Sequence, residues 1–307
     1  MADNPLKVNI AGVDFKNPII AASGAFGFGR EYNRLFPVEL LGGISCKGTT
    51  LRPRAGNPPP RVAETPSGML NSVGLQNPGV AHFLAEDLPW LAQKDITIIA
   101  NIAGHSLPDY CGAALRLEGS AVHMIELNIS CPNVKEGGLT FGATCESAAR
   151  TVREVRRHTT KPLCVKLSPN VTSIADIAAA VEAEGADAVS LINTLTGMKI
   201  DIKTRRPILR NNVGGLSGPA VFPVAVRMVR EVYKRVKIPV IGMGGVASWQ
   251  NAVEIMLAGA SAVMVGTALF QNPFAALEII DGLNGYCKAN ELYCISEITG
   301  SVEEWPS

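Results

Sequence analysis

The chain has 307 residues, 47% of them hydrophobic, 18% charged and 6% aromatic. That balance excludes intrinsic disorder, and the length suits two average domains or one large α/β barrel. A net charge of +1 gives no electrostatic footprint for nucleic acid or an acidic membrane. The longest charge-free apolar stretch, Ile255–Phe270, is broken by glycines and falls short of the ~20 residues of a membrane span.

In chain order, the opening MADNPLKVNIAGVDF has no basic stretch followed by an apolar one, so no secretory signal is expected there. Val8, Ile10, Val13 and Phe15 alternate around Gly12, which predicts a small hairpin. A repeated pattern follows: a short β-branched apolar run, a loop, an amphipathic helix. The runs are Pro18–Ala22, Gly43–Lys47, Thr97–Asn101, His123–Asn128, Leu163–Leu167, Ala188–Ile192, Pro239–Gly242 and Ala262–Val265. Near-continuous apolar strands alternating with helices predict a parallel sheet covered on both faces. Two helices are bounded clearly. Ser173 is the expected N-cap of a helix carrying Ile174, Ile177, Ala178 and Val181, with Gly185 as its C-cap. Ser248 caps a helix carrying Val253, Met256 and Leu257, and Gly259 ends it. Eight such units close into a TIM (β/α)8 barrel. A doubly wound open sheet is the alternative, but no G-x-G-x-x-G opens the first unit. The expectation is one α/β barrel domain over residues 1–307 with an N-terminal β-hairpin.

Three connections are swollen: 48–96, 129–162 and 193–237. Each follows a strand, so each belongs to the C-terminal face, where this fold builds its active sites. Long loops in a compact domain point to function.

The seven cysteines are odd in number and form no CxxC pair, and the four histidines are dispersed. A disulfide framework and a zinc or iron–sulfur site within this chain are therefore not expected, and a reduced, cytoplasmic protein is. One cysteine stands apart. In NISCPNVKEGGLTFG, Cys131 opens the loop after a strand ending at Asn128–Ile129, which puts its thiol at the barrel mouth. There it suits a nucleophile, or a base for a carbon acid. Asn128 and Asn133 flank it, and Gly137, Gly138 and Gly142 offer the backbone freedom of a lid. The plainer reading of a lone cysteine, a buried inert thiol, is assigned to the other six.

Lys47 and Lys166 close two strands at equivalent heights. A lysine there is costly to bury unpaired, so a shared anionic ligand is expected. After strands seven and eight, GMGGVAS and VGTAL present the backbone amides of Gly244, Gly245, Gly266 and Thr267, a recurrent phosphate site in this fold. LSGP adds a close-approach glycine, Gly218. Asn71 in NSVGLQNPG and Asn193 in INT join Asn128 and Asn133 as neutral donor–acceptor groups, suited to a ring with imide and carboxylate groups. No carboxylate pair suits glycoside hydrolysis and no His–Asp pair a triad. The basic run Arg153–Lys161 reads as a solvated helix end.

Together, ASGAFGFG (Ala22–Gly29), SCKGTT, NSVGLQNPG, NISCPNVKEGG, INTLTGMKID, GGLSGPA and GMGGV resemble, in order and over essentially the whole chain, the class 1B dihydroorotate dehydrogenases, in particular their catalytic FMN subunit of the NAD-linked type. The KEGGLTFG and NTLTGMKIDIKTRRP segments look more like class 1B than the fumarate-linked class 1A, and class 2 enzymes carry serine where Cys131 stands.

The resemblance implies FMN across the barrel mouth, its phosphate on Gly244, Gly245, Gly266 and Thr267. It implies further flavin contacts from Ser23, Lys47, Gly48, Asn101, Asn128, Lys166, Ile192 and Gly218, with Lys166 stabilising negative charge on the reduced ring. Lys47, Asn71, Ser72, Val73, Gly74, Leu75, Asn128, Asn133, Asn193 and Thr194 would enclose the pyrimidine. Dihydroorotate would become orotate in pyrimidine biosynthesis, hydride leaving C6 for the flavin N5 and Cys131 taking the C5 proton. It also implies a partner subunit with FAD and a 2Fe–2S cluster that passes electrons to NAD, in a heterotetramer built on a homodimer of this chain. Two related enzymes stay open as alternatives, a class 1A enzyme and a dihydropyrimidine dehydrogenase-like flavoenzyme. So does a non-enzymatic barrel that binds a phosphorylated ligand.

Overall fold

A computed structural model describes residues 4–130 and 139–305. Its centre is a closed parallel barrel of eight strands: β1 (Ile19–Ala21), β2 (Gly43–Ser45), β3 (Thr97–Ile102), β4 (Met124–Asn128), β5 (Leu163–Lys166), β6 (Ala188–Leu191), β7 (Val240–Met243) and β8 (Ala262–Val265). Neighbours in sequence are neighbours in space, and β8 closes on β1 with Met264 opposite Ile20. Every residue of the eight strands is buried, which explains their unalternating apolar character: one face meets the barrel interior, the other the helices. Each strand falls within one of the predicted runs or overlaps it to within one residue. Closure excludes the open doubly wound sheet.

The N-terminal hairpin pairs Val8–Ile10 with Val13–Phe15, Val8 opposite Phe15. Its turn residues Ala11 and Gly12 both have positive φ, 51° and 81°, the twist a two-residue hairpin loop needs. Thr97, which opens β3, donates to the Asp14 carbonyl at 2.9 Å. The hairpin therefore plugs the N-terminal end and leaves the opposite end for ligands.

Helices Leu107–Leu117, Cys145–Arg156, Ile174–Ala183, Phe222–Tyr233, Trp249–Ala258 and Ala275–Ala289 wrap the barrel. Ser173 and Ser248 are N-caps, accepting from the Asp176 and Asn251 amides at 3.3 Å each. One unit departs from the predicted grammar. The β1–β2 connection holds only 3-10 turns at Tyr32–Arg34 and Val38–Leu40. Glycines and Pro37 interrupt that stretch, and an aromatic cluster fills the space instead, with Phe26 stacked on Tyr32 at 4.1 Å between centroids. The basic run Arg153–Lys161 is more than a solvated face. Arg153 pairs with Glu184, and Arg156 with Asp187 at 2.8 Å; the Lys161 ammonium donates to the carbonyls of Ser120 and Val122.

The first and third swollen connections meet. Val62–Thr65 and Gly68–Asn71 from the first join Leu195–Gly197 and Gly214–Ser217 from the third in one four-stranded antiparallel sheet. Asn71 lies opposite Gly215 and Leu70 opposite Leu216. Where the two segments cross, a Cβ on Gly218 (φ +100°) would come within 2.6 Å of the Gly68 Cα, so glycine is needed there for the two segments to pack. The second swelling is smaller than its length suggests, because Cys145–Arg156 is an ordinary barrel helix. Gly142, expected as lid backbone, ends the short helix Leu139–Gly142 and abuts the Ile129 carbonyl.

Candidate active site

The site grows from the period-2 geometry of the strands. On β4 two inward residues stack, Glu126 below Asn128; Ser45 and Ser190 join the layer of Glu126, while Lys47 and Ile192, just past the ends of β2 and β6, line the cavity with Asn128. The lower layer is polar and tightly satisfied. Glu126 has no exposed surface. Its Oε2 accepts from Ser45 Oγ at 2.7 Å and Asn101 Nδ2 at 2.5 Å, and its Oε1 from Ser190 Oγ at 2.7 Å. Burial pushes this carboxyl upward, but the positive Lys166 and the three hydrogen bonds outweigh it. The group is held below the usual carboxylate range, hence ionised. Cys164 lies in the same surroundings, and burial together with Glu126 raises its thiol well above the ordinary value. Burial likewise raises Cys46. Of the six thiols expected to be buried, Cys46, Cys164 and Cys287 are, whereas Cys111 and Cys294 are half-buried and Cys145, at the start of its helix, is exposed.

The upper layer faces a cavity of about 260 Å³, many times the ~10–15 Å³ that one water needs. Lys47, Asn101, Asn128, Lys166 and Ile192 form its floor, with Gly48 and Ser23 beside them. Lys166 is only 5% exposed, and its Nζ lies 3.3 Å from Ser23 Oγ. The Asn101 Oδ1 is buried without a hydrogen-bond partner, in a residue that lines this cavity. A Cβ on Gly48 would stand 2.6 Å from that oxygen, so only glycine leaves room for it.

Gly244, Gly245, Gly266, Thr267 and Gly218 line one part of the wall. Gly244 and Gly245 hold φ of +118° and +80°, and a Cβ on Gly245 would lie 2.7 Å from the Gly218 carbonyl oxygen. Side chains are shut out at Gly218, Gly244 and Gly245, where backbone is what faces a ligand.

Asn71, Val73, Gly74 and Leu75 from the first swollen connection, and Asn193 and Thr194 after β6, line the rest. Ser72 is buried behind this wall, its Oγ without a partner. Asn193 Nδ2 donates to Ser130 Oγ at 2.8 Å, and Ser130 Oγ donates to Asn128 Oδ1 at 2.9 Å. This chain of bonds joins the loop after β6 to the loop after β4. Cys131 and Asn133, with Gly137 and Gly138, lie outside the described residues; Ser130 is the last described residue before them.

Four polar residues of the site escaped the sequence reading: Glu126, Ser45, Ser190 and Ser130. A signal for the first existed. MIELN carries a carboxylate in an apolar strand, two residues before Asn128 and so on the same face. Asn170 was also missed. Its amide donates to the Thr194 carbonyl at 2.9 Å and accepts from the Thr196 amide at 2.9 Å, pinning the segment that carries Thr194.

Set beside known proteins, residues 5–286 match the model of the dihydroorotate dehydrogenase family. The chain is 53% identical over 298 residues to the catalytic subunit of dihydroorotate dehydrogenase B (NAD(+)) from Anoxybacillus flavithermus, covering 97% of this chain and 96% of that one. It is 50% identical over 298 residues to the subunit of the same name from Thermoanaerobacter pseudethanolicus, covering 97% and 99%. With the one from Bacillus pumilus it shares 53% over 296 residues, 96% of each chain. Similarity of this extent, on a closed barrel with its polar cavity at the C-terminal mouth, shows that the chain belongs to the dihydroorotate dehydrogenase family.

Proposed function

We propose that this chain is the catalytic subunit of an NAD-linked dihydroorotate dehydrogenase that oxidises dihydroorotate to orotate in pyrimidine biosynthesis, with FMN in the barrel mouth. The observation that carries the reading is the composition of one cavity: side-chain-free glycine backbone at one part, neutral amides at another, and a buried lysine and an orphaned amide oxygen on the floor between them. These residues fit FMN. Gly244, Gly245, Gly266 and Thr267 suit its phosphate. The Asn101 Oδ1 calls for an N–H of a polar ring, and Ser23, Lys47, Gly48, Asn128, Ile192 and Gly218 surround the same space. Bound there, FMN supplies a two-electron acceptor for the oxidation.

The chain's own residues do the rest. Lys166 places a water-poor positive charge on the cavity floor, where it favours negative charge above it. Asn71, Asn128, Asn193 and Thr194 offer donors and acceptors that orient a pyrimidine, with the positive Lys47 facing its carboxylate. Val73, Gly74 and Leu75 close the wall, backed by Ser72, and keep water out. Asn133 belongs to the same proposed substrate shell. Cys131 takes the C5 proton on its Sγ as general base.

The relatives are named catalytic subunits of an NAD(+) enzyme, which supports a partner subunit; the family resemblance gives that partner FAD and a 2Fe–2S cluster for electron transfer. We place two such partners with a homodimer of this chain in a cytoplasmic heterotetramer. Among the described residues no helix is long and apolar enough to cross a membrane.

Anaerobic titration with dihydroorotate, followed by absorbance, tests the reading. The yellow protein is expected to bleach, and NAD to restore its colour only with the partner present. Recovery by fumarate on the isolated chain would make it a class 1A enzyme; no bleaching would remove dihydroorotate as substrate. The cradle has its own test. Gly245→Ala forces a side chain into a positive φ and against the Gly218 carbonyl. Strain of about 1–3 kcal/mol corresponds to a dissociation constant for FMN raised roughly 5- to 150-fold. Fluorescence titration of the apoprotein reads it, and an unchanged constant would move the phosphate elsewhere.

A further inference from the structure

We propose that Glu126 is a positioning residue for the flavin site: from beneath the cavity floor its carboxylate fixes which atom of the Asn101 amide faces the ligand, and it offsets the positive charge of Lys166. The inference rests on the reading of the cavity as an FMN site.

A carboxylate with no exposed surface in the middle of a barrel strand is expensive, and a neutral side chain of similar volume would fill that space at lower cost. Its surroundings show what the charge accomplishes. Three donors from three other strands converge on it: Ser45 from β2, Asn101 from β3 and Ser190 from β6. An ionised carboxylate only accepts. Asn101 must therefore turn its NH2 toward Glu126, which leaves its Oδ1 buried without a partner beneath Gly48, at the edge of the cavity that both residues line. The flipped amide would set two oxygens against each other at 2.5 Å. The floor thus presents a fixed acceptor, selecting a ring that offers an N–H there and opposing one that offers a carbonyl. The absence of a side chain at Gly48 leaves room for that acceptor.

The second effect is electrostatic. Lys166 is nearly as buried as Glu126, and the attraction between the two is felt at the carboxyl. In a water-poor interior such charges act over several ångströms with little screening. Glu126 therefore tempers the field that Lys166 imposes on the ligand above it. Removing the negative charge leaves the lysine uncompensated and favours the more negative, reduced flavin.

Glu126→Gln, nearly isosteric and neutral, separates this role from a purely structural one. The Gln side chain can donate, so Asn101 is free to flip. In the full-length apoprotein the dissociation constant for FMN is expected to rise about tenfold. In the reconstituted protein the ratio of reduced to oxidised flavin at a fixed solution potential should rise about tenfold, which is about 30 mV for a two-electron couple. The thermal midpoint is expected to fall, because Lys166 stays buried without its counter-charge, so FMN affinity and potential are the deciding readouts. A lower thermal midpoint with unchanged FMN affinity and unchanged potential would overturn the proposal. Wild-type apoprotein that takes up no FMN would instead sink the cofactor reading itself. Should the variant fail to fold, wild-type holoprotein labelled with 13C-glutamate answers by infrared difference spectroscopy on flavin reduction. An isotope-shifted band from an ionised carboxylate is expected, and a difference spectrum without any glutamate band would refute the role.

Discussion

Cys131→Ala should bind FMN like the wild type and turn over dihydroorotate about 10²- to 10⁴-fold more slowly, the usual contribution of a positioned general base. The C5 hydrogen is a weak carbon acid, and alanine offers nothing to receive it. The Ser130 bonds to Asn128 and Asn193, which tie the start of this loop to the cavity wall, do not involve the Cys131 side chain. Loss of turnover would therefore report chemistry rather than loss of the pocket. The pH profile supplies a second reading. Only the thiolate accepts a proton, so wild-type flavin reduction should rise about tenfold per pH unit below the thiol pKa and level off above it, starting from an ordinary value of about 8.5. Cys131→Ser should keep a small activity that still climbs where the wild type has levelled, because a hydroxyl ionises at higher pH. Stopped-flow reduction of the bound flavin measures both variants. Wild-type rates in Cys131→Ala would remove this residue as the base.

Lys166→Met is the second large expected loss. The substitution keeps an unbranched apolar stem and deletes the ammonium. Removing one preorganised charge-stabilising group of this kind costs about 10²- to 10³-fold in rate. Here the loss is compounded, because Glu126 would remain buried without its nearby positive charge and would set a negative field under the cavity. The flavin potential should fall, opposite in sign to the shift expected for Glu126→Gln. Single-turnover reduction and a redox titration against a reference dye read both effects. A near-normal reduction rate with unchanged potential would show that Lys166 only fills space.

The barrel was legible because its strands are buried on both faces. A run such as Ala188–Ile192 needs no partner information to be recognised, and eight of them with helices between leave few topologies. Two polar cavity residues at strand ends stood out for a related reason: Lys47 and Lys166 are costly in apolar runs unless a ligand waits for them, whereas Asn101 entered only through the family resemblance. Two features were not legible. The sheet over the mouth pairs Leu70 with Leu216, and no local pattern announces a partner that distant in sequence. Glu126 went unnoticed because its neighbours Leu127 and Asn128 drew the reading upward to the mouth, while its own partners come from three other strands. Where the β1–β2 helix was expected, glycines and Pro37 favoured an aromatic cluster over helical pairing.

The sheet over the mouth also bears on how such an enzyme tolerates insertions and deletions. Asn71 reaches the cavity from a strand whose partner, Gly215, belongs to the other swollen connection. A one-residue slip in either strand would reverse which side chains face inward and carry Asn71 to the outer side. Grafting a single loop from a relative of different substrate preference would therefore scramble the recognition surface rather than transfer it. Residues 62–71 and 195–217 form one module in two pieces, and swapping specificity requires exchanging both pieces together.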